Sequence, residues 1–102
     1  NQDHRHYASV CRIALRPANL GGVQRVLAMK AFDSLATESN YYIPMSSDMM
    51  RTKLEAVAAY TAEAREDEHP RSPENIVAQH RVWGAKAGVR LAEAYDLILF
   101  RE

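Results

Sequence analysis

The feature that most constrains this chain lies near its C-terminal end, where Ile76, His80, Trp83, Ala87, Leu91, Ala94 and Ile98 recur at spacings of four, three, four, four, three and four. That is the period of an α-helix buried along one stripe. Its start is marked by RSPEN, with Ser72 as N-cap, Pro73 at the first helical position and Glu74 in the first turn. Left unbroken, the pattern makes one helix of about 28 residues, about 40 Å long at 1.5 Å per residue. That is too long for a chain of 102 residues. GAKAG, residues 84 to 88, resolves the conflict. A glycine inside a helix costs about 1 kcal/mol against alanine, and glycine is the usual residue just past a helix end. The sequence therefore predicts one helix from Pro73 to about Trp83 and another from about Val89 to the end. The competing reading keeps the helix continuous, with Gly84 and Gly88 admitting the close approach of a second helix.

The remaining segments read the same way. DHRHYASVCRIALR places Tyr7, Val10, Cys11 and Ala14 on an apolar stripe and Arg5, Arg12 and Arg16 on another face, and it ends at Pro17. From Val23 to about Ala36 apolar residues cover most of a helix circumference, as in a helix buried on more than one side. TESNYY has no period and reads as loop, extended by Pro44, which keeps Ile43 out of the helical region. Ser46, Ser47 and Asp48 cap the next helix, whose stripe holds Met50, Leu54, Val57 and Ala64. It frays near Arg65, where REDE sets three acids against the helix dipole, so that EDEHPR forms an exposed acidic loop. No segment alternates as a strand does. The expected fold is all-α, an up-and-down four-helix bundle formed by residues 1–102 as a single domain. A chain starting at Asn1 reads as a piece of a longer protein.

Composition narrows the function. An apolar fraction of 47% and a charged fraction of 25% are those of an ordinary globular domain. The lone Cys11 fits a reducing, intracellular compartment and, on its apolar stripe, a small core residue. No apolar run approaches the roughly 18 residues of a membrane span. Net charge is zero, but residues 1–32 carry five Arg/Lys against one Asp and residues 33–74 carry four against nine acids. A nucleic-acid partner held by Arg5, Arg12, Arg16 and Arg25 is the weaker alternative, because the total charge supplies no concentrated basic footprint. Asp3, His4 and His6 do not share a helix face and have no CxxC or HExxH partner, so neither a metal nor a cofactor is expected. His80 reads as a hydrogen-bonded core histidine. With no acid/base pair, phosphate loop or activated nucleophile, the chain is read as non-enzymatic.

One resemblance bears on function. PMSSDMMRTKLE behind a tyrosine pair resembles the entry to the second helix of a bromodomain, with Pro44, Met45, Arg51, Lys53 and Leu54 matching and Tyr60 further on. SPENIVAQHRVW is similar to the start of that family's third helix at Ser72, Pro73, Glu74, Val77 and Arg81, and VRLAEAYDLILF to its last helix at Ala92 and Phe100. The family's asparagine donor has no counterpart, since Lys86 and Leu91 stand at the two usual positions. The resemblance implies a nuclear chromatin reader of acetyl-lysine in peptides such as histone tails. Its pocket would draw on Tyr41, Tyr42, Ile43, Pro44, Trp83 and Lys86. The other reading is a helical assembly or oligomerisation domain of a larger complex, using LILF and the pair Met49 and Met50 as apolar surface.

Overall fold

In the computed structural model, which describes residues 2–14, 16, 21–29, 38–60 and 72–102, helices and strands share the chain. Their order is α1 (Gln2–Ala14), β1 (Arg25–Met29), β2 (Tyr41–Pro44), α2 (Ser47–Ala59), α3 (Pro73–Ala87) and β3 (Ala92–Phe100). The three strands form one antiparallel sheet in the order β1-β3-β2. The expected all-α, four-helix bundle is therefore wrong: the last helical segment of that reading is the central strand of a sheet.

The start of α3 follows the sequence closely. Ser72 adopts extended backbone and its hydroxyl accepts from the Asn75 N–H, with Pro73 in the first turn where its missing N–H costs nothing. Its end falls later than expected. The helix runs through Gly84 to Ala87 and stops at Gly88, whose φ of 75° lies in the left-handed region that glycine enters without a Cβ clash. The Val89 N–H bonds to the Gly84 carbonyl and the Gly88 N–H to Ala85, the two reversed bonds of a Schellman ending. The chain then doubles back across the helix. A Cβ at Gly84 would lie 2.6 Å from the Arg90 carbonyl oxygen, so only glycine admits this crossing. Both readings of GAKAG thus held a part of the answer: the chain does turn, and Gly84 does serve close approach, but to a returning loop.

The crossing delivers β3 onto α3. Trp83 packs against Ala92 and Ala94, with Tyr42 and Ala87 beside them, so that one large ring fills the space left by two small strand residues. Alternation explains the placement, because Ala92 and Ala94 face α3 while Glu93 and Tyr95 face away. The 3-4 spacing concealed this. Leu91, Ala94 and Ile98 fit a helix on paper, and LILF, apolar at successive positions, hides a period of two.

β1 corrects the helix expected from Val23 to about Ala36, within the described part of that range. A continuous apolar run suits a strand as well as a helix when the segment is short. Its register with β3 slips between Val26 and Leu27, which leaves Ile98 as the extra residue of a bulge. β2 takes the extended conformation that Pro44 imposes on Ile43, and the proline is tolerated because β2 lies at the sheet edge. The helix expected from Ser46 forms as α2, with the Ser46 hydroxyl accepting from the Met49 N–H at 3.1 Å. It ends at Ala59, earlier than the expected fraying near Arg65: Tyr60 leaves the helical region and its N–H turns back to the Val57 carbonyl. The acidic loop lies outside the described residues. α1 forms as read, but its stripe is not core: Tyr7, Val10 and Cys11 are exposed. The ending at Pro17 is likewise outside the described residues.

Replacing Gly84 with alanine is expected to destabilise the domain by about 2 kcal/mol, as overpacking against backbone that cannot yield. Gly22→Ala, which meets open space, should stay within about 0.5 kcal/mol of the parent in the same urea unfolding series.

Candidate functional site

Where α2, α3 and β3 meet, four polar side chains join in one network. His80 sits one turn before Trp83 on the buried side of α3, is 1% exposed, and stacks edge-on against the indole at 5.1 Å. One ring nitrogen, Nδ1, lies 2.7 Å from the Ile76 carbonyl oxygen and the other, Nε2, lies 2.8 Å from Lys53 Nζ. A carbonyl only accepts and an ammonium only donates, so Nδ1 carries the proton and Nε2 offers its lone pair. The imidazole is neutral. Burial pushes its pKa below the ordinary value; the Lys53 charge adds to this, while the Ile76 bond and Glu93 oppose it.

Lys53 reaches the second arm of the network at Glu93 Oε2, 3.5 Å away, with both side chains about one-third exposed. The same oxygen accepts the Tyr95 hydroxyl at 2.5 Å. Glu93 and Tyr95 can do this because residues two apart on a strand share a face. For Glu93 burial is the largest single influence and resists ionisation, but it is outweighed by the Tyr95 hydrogen bond and by the charge and hydrogen bond of Lys53, so the carboxyl stays below its usual range. Burial, then the bond and charge of Glu93, push the Tyr95 phenol up to about 12. Among the described residues no group bonds Glu93 Oε1.

Two members of this network, Lys53 and Glu93, line a groove of about 520 Å³ between β2 and α2. Ile43, Pro44 and Met45 form one wall, Met49, Thr52 and Ala56 with Asp48 the other, and Lys53 with Glu93 the polar end. The Asp48 carboxylate is paired with Arg51 at 2.6 Å. The stretch YYIPM thus contributes a wall of a recess. Of the six residues predicted for a pocket, only Ile43 and Pro44 line it. Tyr41 points elsewhere, its hydroxyl accepting from Arg25 Nη1 at 2.7 Å. Tyr42 packs on the core, Trp83 is 5% exposed within it, and Lys86 lies 3.8 Å from Glu38 in an exposed pair. His80 is the hydrogen-bonded core histidine that the sequence predicted. The role of Glu93 and Tyr95 was missed, since a helical reading sends positions two apart to different faces. Their E-x-Y spacing carries a signal only once the segment is known to be a strand.

Among the described residues no three His, Cys, Asp or Glu side chains converge as metal ligands, and no helix is long and apolar enough to cross a membrane. Comparison of the chain with models of known families, with curated proteins and with solved structures found no match.

The network makes stability depend on pH at both ends. His80 and Glu93 have folded pKa values below their unfolded ones, so their contributions are complete above 6.5 and 4.5 respectively and are lost as pH falls further. Tyr95 is raised, so its contribution is complete below pH 10 and is lost as pH climbs toward about 12. Thermal unfolding across this range should show both losses, and Tyr95→Phe should remove the alkaline loss that Tyr95 causes while leaving the His80 step in place.

Proposed function

We propose that the chain is a non-enzymatic interaction module that holds a neutral, amide-bearing segment of a protein partner in the groove between β2 and α2. An acylated lysine side chain or a short apolar peptide meets that description. The observation that carries this is a largely apolar groove in which Lys53 and Glu93 stand paired, while the further carboxylate in its wall, Asp48, is taken up by Arg51. An amide matches both groups at once, its carbonyl accepting from Lys53 Nζ and its N–H donating to Glu93 Oε1. A charged head group fits less well: an ammonium meets Lys53 and a carboxylate meets Glu93 at close range. Acetylation converts a lysine from the disfavoured to the favoured form, which gives the acetylated-tail reading a physical basis independent of the helical bundle.

Two features support binding over catalysis. The His80 lone pair is taken by Lys53 and the ring is buried, so it offers no general base. Tyr95 holds its proton to about 12, far above the range useful for acid/base work near neutrality.

The test is a binding comparison between peptides that differ only in acetylation of one lysine, read by fluorescence anisotropy. The acetylated form should bind at least about tenfold tighter, a difference of about 1.4 kcal/mol. Equal signal from the two forms would sink the modified-lysine reading. Lys53→Met should remove the preference, and Met49→Glu, at a position 57% exposed on the groove wall, should weaken binding without unfolding the domain. Binding that ignores both substitutions would place the ligand somewhere else.

A further inference from the structure

The two edges of the sheet differ in what they offer to another chain. On β2 the Met45 N–H bonds to the Leu91 carbonyl, which sets the phase of that ladder and turns the main chain of Tyr41 and Ile43 inward to β3. Only Tyr42 and Pro44 face out, and proline has no N–H to give. That edge is blunted. On β1 the Arg101 N–H bonds to the Gln24 carbonyl, so Gln24 and Val26 face β3. Beyond the bulge, β3 turns Tyr95 and Leu97 toward β2, where their main-chain groups meet Asn40, and hence turns Asp96 toward Ala28. The main-chain groups of Arg25, Leu27 and Met29 are left facing outward. They form an unbroken row of donors and acceptors with no proline, and among the described residues nothing bonds them.

Beside this row lies a groove of about 610 Å³ between α1 and the sheet. All four residues from Val26 to Met29 line it, which sets it against the main chain of the strand as well as against one of its faces. α1 supplies the opposite wall through Ala8, Cys11 and Arg12, with Arg16 just beyond its end. Among the described residues no carboxylate lines this groove. Met29, at its margin, is 82% exposed.

We infer that this groove is a second docking surface, independent of the one between β2 and α2, and that it accepts an extended peptide segment as a fourth strand against β1. The occupant is apolar with an acidic flank. Its main chain pairs with Arg25, Leu27 and Met29, its apolar side chains rest on the strand, and its carboxylate meets Arg12 and Arg16. A small amphiphilic acid would match the arginines and the apolar floor but would leave the outward N–H groups of β1 unpaired. The edge itself therefore favours a peptide.

The probe is a five-residue peptide of valine and isoleucine between two glutamates, with copies N-methylated at alternate amides in each of the two phases. Titration followed by amide resonances should show binding, with hydrogen exchange at Leu27 and Met29 slowed at least about tenfold. One N-methylated phase should bind at least about tenfold more weakly, because methylation removes the donors that pair with β1 without altering the protein. The double variant Arg12→Glu and Arg16→Glu, at exposed positions, should weaken binding by a similar factor at low salt and less at high salt. Met49→Glu should leave it unchanged. The inference is overturned if both methylated copies bind as the parent does, if exchange at Leu27 and Met29 is unaffected, or if dodecanoate binds the groove and the peptide does not.

Discussion

The fold depends on one backbone crossing, where the chain leaving α3 passes over Gly84 at a distance no side chain could tolerate. That contact sets the level at which Leu91 enters and β3 begins. It also lays Ala92 and Ala94 against Trp83, the packing that joins helix to sheet. Were the crossing wider by one methyl group, the tryptophan would face a gap and the sheet would lose its support. Glycine contributes twice within five residues, first by admitting a neighbour at Gly84 and then by taking the left-handed turn at Gly88.

The same turn of α3 ties the core to the groove. His80 and Trp83 are adjacent on its buried side, and the imidazole that touches the indole also accepts from Lys53. A neutral histidine suits this position better than a second charge would. Fully buried and next to an ammonium, it would pay both desolvation and repulsion if protonated, whereas as the Nδ1–H tautomer it satisfies the Ile76 carbonyl and Lys53 at once. Lys53 is thereby held at the end of the groove, with its remaining charge shared with Glu93. The polar end of the recess is an extension of the core.

Sheet order gives the two edges different fates. β3 lies at the centre and is paired on both sides, while β2 ends in proline and is flanked by α2. β1 keeps its outward groups and faces α1, whose apolar stripe finds no place in the core. Two apolar recesses on opposite edges, one holding the Lys53–Glu93 pair and the other rimmed by Arg12 and Arg16, suit chemically different segments of a partner.

Local signals were legible in the sequence wherever they act on the backbone within a few residues. Ser72 with Pro73 set the start of α3, Ser46 capped α2, Pro44 held Ile43 extended, and Gly88, the second of the paired glycines, ended a helix that runs through the first. His80 was legible as a core histidine because its stripe position alone implies burial. What the tertiary structure decided was the identity of every strand, because a short apolar run such as RVLAM or LILF has no period of its own and takes the conformation its neighbours can bond. The candidate site followed from that decision. Glu93 and Tyr95 share a face only in a strand, and Lys53 of α2 meets Glu93 only when the fold brings residues forty positions apart within 3.5 Å of each other.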